Sequence, residues 1–167
     1  MKREAVPDYG ATEDECRAYF SACAALRENR GHVDLLRGQH YRKRAQFFAL
    51  YDDVRALPPN TAWTKLREMH DWFLSQIQEN SDLVSQCKTG AEVDAAAAQH
   101  RTAALLSVEG ADLLDCALDH LETVASWGVR LINPVWNNAN VLSGSCADEP
   151  DRGLSVYGLS LIHISEP

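Results

Sequence analysis

The strongest candidate for chemistry in this sequence is a carboxylate, Glu109, which ends an apolar run. The run extends from Ala103 to Val108 and is stopped by Glu109 and Gly110. It has the length of a strand and lies between two helical patterns, which favours a buried strand of a parallel sheet. Barrel enzymes carry their reactive groups at the C-terminal ends of such strands. The alternative is a glutamate that faces solvent before a glycine turn.

Two other acidic groups have spacings that allow chemistry. His32-Val-Asp34 is a His-x-Asp pair, a combination that can bind a metal ion, but a hydrogen-bonded loop histidine is the favoured interpretation. Asp52 and Asp53 follow a second apolar run and either face a site or form an exposed loop pair. The sequence contains no glycine-rich phosphate-binding loop and no suggestively spaced Ser/His/Asp set.

The elements that must position these groups alternate between strands and helices. Capping boxes at Thr12–Glu15 and Thr89–Glu92 predict two helix starts, and Gly128 suits a helix C-terminus. The predicted helices are Thr12–Arg27, Thr61–Glu79, Thr89–His100 and Asp112–Trp127. The predicted strands are Ala45–Tyr51, Leu83–Cys87, the run ending at Glu109, and Val129–Ile132, with loops at Asn133–Asn140 and Gly144–Gly158. This alternation predicts an α/β fold made of parallel βα units.

Composition narrows the class of protein. A chain of 167 residues with 46% hydrophobic content is one globular domain or part of one. The net charge of −8 argues against nucleic acid as a partner, and the basic run from Arg37 to Arg44 is interpreted as a solvated loop. We expect no membrane partner, since no segment has the length of a signal peptide or a membrane span. The five cysteines are odd in number and contain no Cys-x-x-Cys, which predicts reduced thiols and a cytoplasmic location.

Several segments, taken in order, resemble the membrane (renal) dipeptidase family of zinc peptidases, and especially its bacterial branch. They are Gly31-His-Val-Asp-Leu35, Ala45-Gln-Phe-Phe-Ala-Leu50, Leu106-Ser-Val-Glu-Gly110, Leu121 to Asn137, and Gly153-Leu-Ser-Val-Tyr-Gly158. The resemblance runs in register from about Leu26 to Gly158. It implies a partial (β/α)8 TIM-type barrel, of which residues 1–158 are the N-terminal half, because a complete barrel needs roughly 250 residues.

The resemblance also implies a cofactor and site residues. The family hydrolyses dipeptides with two zinc ions, and Glu109 is similar in position to the carboxylate that bridges them. The family's early His-x-Asp ligand pair has no counterpart, because only Asp14-Glu-Cys16 occupies that region, and His32-Val-Asp34 aligns with a later segment. Trp136 stands where many family members place a substrate-contacting histidine, and it either lines the substrate pocket or is a packed loop tryptophan. Asn137 and Asn140 either hydrogen-bond a substrate terminus or make turns.

The predicted function is therefore a zinc-dependent dipeptidase, present here as a truncated and inactive fragment with a dipeptide as its substrate. One carboxylate cannot hold a catalytic zinc ion, which normally takes three protein ligands. Two alternatives stay open. The first is another metal-dependent amidohydrolase of the same barrel fold, and the second is a non-enzymatic barrel fragment that associates into a homo-oligomer through its open sheet edges.

The last nine residues, Leu159-Ser-Leu-Ile-His-Ile-Ser-Glu-Pro167, do not continue the family pattern. They match, residue for residue, a translation of a transposon-end adapter used in DNA sequencing. We therefore predict that residues 159–167 are a non-native tail, and His163 is excluded from the candidate ligands.

Overall fold

The computed structural model describes residues 10–147 and 152–165. The helices are α1 (Glu13–Cys23), α2 (Leu35–Gly38), α3 (Ala62–Glu79), α4 (Gly90–Ala98), α5 (His120–Trp127) and α6 (Val156–Ser165). The strands are β1 (Ala45–Leu50), β2 (Val84–Gln86), β3 (Thr102–Glu109) and β4 (Val129–Asn133), and a short 3-10 helix covers Ala111–Leu114.

The strands form a sheet around β3. This strand lies between β1 and β2, and β4 also pairs with it. Both described ladders are parallel: Val84 of β2 lies opposite Thr102, and Asn133 of β4 lies opposite Glu109. Helix α4 connects β2 to β3 and helix α5 lies between β3 and β4 in the chain, as parallel neighbours require. The predicted parallel βα units are therefore confirmed.

The described residues fall into two compact units. The first comprises residues 10–46 and 75–104, and the second comprises residues 47–74, 105–147 and 152–165. Each unit has its own buried apolar residues. In the first unit these include Leu35, Val84, Cys87, Ala96, Ala103 and Ala104. In the second they include Leu66, Phe73, Leu106, Val108, Leu113, Leu114, Val124 and Leu142.

Both capping boxes of the first unit are formed. The side chain of Thr12 accepts from the Glu15 amide, and that of Thr89 accepts from the Glu92 amide, each at 3.3 Å. Helix α1 nevertheless ends at Cys23, four residues before the predicted end at Arg27. The segment that follows uses its polar groups differently, because the Asn29 amide side chain donates to the Ala25 carbonyl at 2.8 Å.

Helix α3 carries the predicted apolar stripe of the second unit. Leu66, His70 and Phe73 are buried along one side, and the ring of Phe73 lies 5.8 Å from that of Phe48 in β1. The ring of Trp63 stacks on His120 at 3.8 Å and on Trp127 at 5.4 Å. The aromatic side chain of Trp63 in α3 therefore packs against aromatic side chains of α5.

The predicted helix Asp112–Trp127 is wrong in its first half. Residues Ala111–Leu114 form a 3-10 turn, Asp115 and Cys116 have φ values of 53° and 50°, and α5 begins only at His120. The reason lies in burial: Ala111, Leu113, Leu114 and Cys116 are all buried, and four such residues within six cannot share one helical stripe. The predicted end is confirmed, since Gly128 has φ 96° at the C-cap of α5.

The predicted loop Gly144–Gly158 ends earlier than expected, because α6 begins at Val156. An isolated bridge joins Ser143 to Leu154, and residues 148–151 of this loop lie outside the described residues. Gly158 sits against the chain so closely that a Cβ atom there would lie 2.1 Å from the Leu142 carbonyl oxygen. Among the helices of the described residues, none is both long enough and apolar enough to cross a membrane.

Candidate active site at the C-terminal edge of the sheet

A small pocket of the second unit opens at the C-terminal ends of β1, β3 and β4. Parallel pairing places Glu109 and Asn133 side by side at this edge. The pocket lining includes Tyr51, Asp52, Asp53, Glu109, Gly110, Asp112, Trp136 and Asn138. Acidic and aromatic side chains from separate turns therefore converge where a parallel sheet places its chemistry.

Glu109 is the carboxylate that the sheet itself positions. It is half-buried at the last residue of β3, directly after the buried Val108. In the part of the chain that the structure describes, its carboxylate takes part in no salt bridge and no side-chain hydrogen bond. A carboxylate held by a rigid strand, with its oxygens available, can accept a metal ion or a hydrogen-bond donor of a substrate.

One side of the pocket is aromatic. Tyr51 directly follows β1, and its ring lies 4.5 Å from that of Trp136 in the loop after β4. Trp136 keeps 42% of its surface exposed, so its ring can contact a molecule entering the pocket. Burial raises the pKa of Tyr51, and the negative charges of Asp53, Asp52 and Glu109 raise it further. The Tyr51 hydroxyl therefore stays protonated over a wide pH range and can donate a hydrogen bond.

Asp52 and Asp53 line the same pocket but are already engaged in ion pairs. Asp53 accepts from the Arg55 guanidinium at 3.2 and 3.3 Å, and these hydrogen bonds lower its pKa. Asp52 lies 3.8 Å from the Lys65 ammonium. Of the two sequence interpretations, the structure thus favours a pair that faces the site, with each charge balanced by a neighbouring cation.

The loop after β4 is held by Asn140 rather than by secondary structure. The Asn140 side chain donates to Asp112 Oδ2 at 3.0 Å and to the Pro134 carbonyl at 2.8 Å. Its oxygen accepts from the amides of Leu142 and Ser143 at 2.8 and 3.2 Å. Of the two roles considered for Asn140, the structure favours the turn.

The predicted site residues are not all brought together. Glu109 and Trp136 line one pocket, whereas the neighbouring amide in the lining is Asn138 and Asn137 is exposed outside it. His32 and Asp34 lie in the first unit, where Asp34 caps α2 by accepting from the Arg37 amide at 2.7 Å. Sequence reasoning missed Tyr51, Asp112 and Asn138. The only signal for Tyr51 and Asp112 was their position directly after a strand or a strand-ending turn.

The pair of zinc ions that the sequence resemblance implies needs several side chains as ligands. Glu109 fits one carboxylate ligand position. Among residues 10–147 and 152–165, however, no three His, Cys, Asp or Glu side chains lie close enough together to hold a metal ion. All five cysteines are free, and burial raises the pKa of Cys116 to about 12, so this thiol is a poor ligand. The described residues therefore fit part of a metal site and not the whole.

Fold and site together define an α/β protein built from parallel βα units, with its candidate site at the C-terminal edge of the sheet. Residues 12–164 match the family model of the membrane dipeptidases, peptidase family M19. The chain belongs to this family, and the fold class predicted from the sequence, part of a (β/α)8 barrel, is confirmed. Among curated proteins, none matches the chain.

Three solved structures of other proteins have folds similar to that of this chain. The dipeptidase AC, a metallopeptidase of family M19, is 27% identical with a TM-score of 0.66, over 80% of this chain and 44% of its own. The probable dipeptidase PvdM from Pseudomonas aeruginosa is 20% identical with a TM-score of 0.68, over 98% and 42%. A metallopeptidase from Rhodobacter sphaeroides, liganded with a phosphinate mimic of the dipeptide L-Ala-D-Ala, is 21% identical with a TM-score of 0.64, over 82% and 47%. The chain spans less than half the length of each.

Proposed function

We propose that this family member is a metal-dependent dipeptidase that hydrolyses dipeptides with a pair of zinc ions, and that Glu109 would be one of the residues that hold them. The observation that carries the proposal is the Glu109 carboxylate at the end of β3, which lines a pocket with Trp136 and has no salt-bridge or side-chain hydrogen-bond partner among the described residues. Membership of the dipeptidase family supports a metal and a peptide substrate. A zinc pair, when bound, polarises a carbonyl group and supplies hydroxide near neutral pH.

The chain's own residues have separate roles in this proposal. Glu109 holds a fixed negative charge where the metal ions would bind, and the ion pairs of Asp52 and Asp53 keep those carboxylates from competing for the ions. Trp136 contacts the substrate side chain and shields it from water, and Asn137 approaches a substrate terminus from the same loop. The proposal also locates the protein in the cytoplasm, where free cysteines persist.

We further propose that these 167 residues do not hydrolyse dipeptides by themselves. Glu109 is a single ligand, and a catalytic zinc ion normally needs three protein ligands. The test compares this chain with a longer form of the protein that includes the remaining strands. Zinc content and hydrolysis of a dipeptide series are measured on both. We expect stoichiometric zinc and turnover in the longer form only.

Glu109→Gln tests the ligand role within the longer form. It should remove bound zinc and turnover, while Glu122→Gln, the same change at an exposed carboxylate of α5, should alter neither. Tight zinc binding and turnover by the 167-residue chain would overturn the ligand count and direct attention back to Asp14, His32 and Asp34. Unchanged zinc content in Glu109→Gln would overturn the assignment of Glu109.

A second candidate is a non-catalytic barrel fragment that associates with its own copies. One observation favours it: an apolar groove between α5, β4 and α6 includes Leu121, Val124, Ile132, Leu161 and the 47% exposed Leu131. Exposed apolar surface such as that of Leu131 promotes association. Light scattering after size-exclusion chromatography separates the candidates. A dimer or larger species at low protein concentration supports association, and a monomer contradicts it.

The functional part of the chain is proposed to be residues 1–158, with residues 159–167 as a non-native tail. Helix α6 covers most of this tail, and its Tyr157 and Leu159 are 41% and 45% exposed. The family match extends into the tail, to residue 164. Sequencing the gene tests this proposal. Codons for residues 159–167 that differ from the adapter sequence would contradict it.

A further inference from the structure

Trp136 stands in the loop that follows β4. Between Asn133, where β4 ends, and α6, the described residues form no helix and no strand. Even so, the Trp136 ring lies 4.5 Å from the Tyr51 ring, at the pocket that contains Glu109. Such a position needs contacts that fix the loop against the strand ends, because an untethered loop samples many conformations.

Asn140 supplies those contacts from the far end of the loop. Its two N–H donors reach Asp112 Oδ2 at 3.0 Å and the Pro134 carbonyl at 2.8 Å. Its oxygen accepts from Leu142 and Ser143, so the side chain makes all four of the hydrogen bonds that an amide can make. The bond to Asp112 is assisted by the carboxylate charge.

The two acceptors of Asn140 belong to the two turns that border the pocket. Pro134 begins the loop that carries Trp136, and its carbonyl also accepts from the Ala111 amide at 3.3 Å. Asp112 follows Glu109 by three residues in the 3-10 turn. Asn140 therefore connects the turn after Glu109 to both ends of the loop after β4, and Trp136 lies inside the connected segment.

We propose that Asn140 is a positioning residue, which holds Trp136 beside Tyr51 and so shapes the aromatic side of the substrate pocket. This inference rests on the proposed function, because only that function makes the pocket a substrate-binding site. Asparagine meets the requirement because it combines two donors with one oxygen that accepts twice. Aspartate at this position would turn an oxygen toward the Asp112 carboxylate and the Pro134 carbonyl. Alanine would remove the Asn140 donor from both acceptors and leave Pro134 with the bond from the Ala111 amide.

The test measures the surroundings of Trp136 by tryptophan fluorescence, which needs neither metal nor activity. Emission maximum and acrylamide quenching are recorded for the full chain and for Asn140→Ala, each with Trp136 present and with Trp136→Phe. The difference within each pair is the signal of Trp136. We expect Asn140→Ala to shift that signal to the red and to increase its quenching, and to change nothing when Trp136 is replaced by Phe.

Asn80→Ala is the matched control. Asn80 is a buried asparagine of the first unit that donates to the Gln76 carbonyl at 2.9 Å, so its loss should destabilise the fold without moving Trp136. If Asn140→Ala and Asn80→Ala lower the unfolding midpoint alike and neither alters the Trp136 signal, Asn140 is only structural and the proposal is overturned. A red shift that persists in Trp136→Phe also overturns it.

A paired exchange covers the case in which Asn140→Ala fails to fold. Asn140→Asp should give the red shift, and adding Asp112→Asn should reverse part of it, because the amide introduced at position 112 can then donate to the new carboxylate. No recovery in the double variant contradicts the assigned contact. In a form that hydrolyses dipeptides, Asn140→Ala should raise KM more than it lowers kcat, since Trp136 is placed to contact substrate and not the reacting bond. Absence of hydrolysis would count against the proposed function alone, because the fluorescence result stands separately.

Discussion

Two carboxylates, Asp34 in the first unit and Glu109 in the second, both matched a pattern that metal sites use, and the structure treats them in opposite ways. Asp34 is 2% exposed and accepts from the Arg37 amide at 2.7 Å, from the Arg37 side chain at 2.6 Å and from the Asn29 amide at 3.3 Å. Glu109 is half-buried, and its carboxylate has no such partner among the described residues.

The difference shows which feature separates a structural carboxylate from a candidate ligand. A ligand needs lone pairs that the fold has not already used. Burial of Asp34 works against its ionisation, but the hydrogen bonds from Arg37 and Asn29 outweigh burial and lower its pKa. The hydrogen bonds that stabilise the Asp34 charge all come from residues of the first unit. The Glu109 carboxylate stands at a strand end, and no described residue forms a salt bridge or side-chain hydrogen bond with it, so its lone pairs can bind a cation.

Removing each carboxylate in turn gives the largest predicted contrast. Asp34→Ala should lower the free energy of unfolding by about 3 kcal/mol, because hydrogen bonds to a charged group are lost together and Arg37 keeps a charge without its partner. Glu109→Ala should change it by no more than about 0.5 kcal/mol, or raise it slightly. Urea unfolding of both variants measures the contrast. Equal losses would show that Glu109 has a structural partner after all.

The stabilisation by Asp34 should also depend on pH in a defined direction. A carboxylate whose folded pKa is lowered stabilises the protein in full above its unfolded pKa of about 3.9, and the stabilisation is lost as pH falls through the folded pKa. Asp34→Asn has no charge to lose. The difference in unfolding free energy between parent and variant should therefore shrink as pH is lowered from about 5 toward 2, and a constant difference would exclude an ionised Asp34 as its source.

Replacing Arg37, the hydrogen-bond partner of Asp34, should lower the free energy of unfolding by less than removing Asp34 does. Arg37 donates from Nε to Asp34, from Nη1 to the Gly31 carbonyl at 2.7 Å and from Nη2 to the Asn29 side chain at 3.1 Å. Lysine keeps the charge but cannot reproduce this planar fork, so Arg37→Lys should lose about 1–2 kcal/mol. Arg17→Lys is the control, since its pair with Glu13 is exposed. A loss at Arg37 no larger than at Arg17 would mean that charge alone matters.

Much of the fold follows from local patterns that the sequence displays. The strand ending at Glu109, the stripe of α3, both capping boxes and the glycine after α5 each depend on residues close together in the chain. The break at Asp115 and Cys116 was not predictable, because the residues around it look helical one by one. Only the tertiary requirement to bury Ala111, Leu113, Leu114 and Cys116 together overrides that preference.

The candidate site was predictable in part for a related reason. Glu109 and Trp136 could be found because each follows a strand and matches a family segment. The contacts that shape the pocket join residues far apart in sequence, such as Asn140 with Asp112 and Tyr51 with Trp136. Nothing in local spacing reveals such pairs, and the role of Asn140 could not be separated from that of an ordinary turn asparagine.

The smallest predicted effect is a change in the pKa of Tyr51, which depends on the Glu109 charge even when no metal ion is bound. Burial raises the pKa of Tyr51 first, followed by the charge of Asp53, while Asp52 and Glu109 contribute less. In metal-free buffer, Asp53→Asn should lower the Tyr51 pKa toward the ordinary value of about 10, and Glu109→Gln should lower it by a smaller amount. The tyrosinate absorbance that Tyr51→Phe removes isolates this titration from those of the other tyrosines.

The order of the two shifts decides how the pocket charges are arranged. If Glu109→Gln moves the Tyr51 pKa more than Asp53→Asn does, the Glu109 carboxylate lies nearer the Tyr51 hydroxyl than the structure places it, and the two groups are hydrogen-bonded. Glu109 would then resemble Asp34, a carboxylate whose lone pairs the fold already uses, and the contrast between the two units would fail. If Asp53 dominates as expected, Glu109 keeps its oxygens available, because its charge reaches Tyr51 only weakly across the pocket.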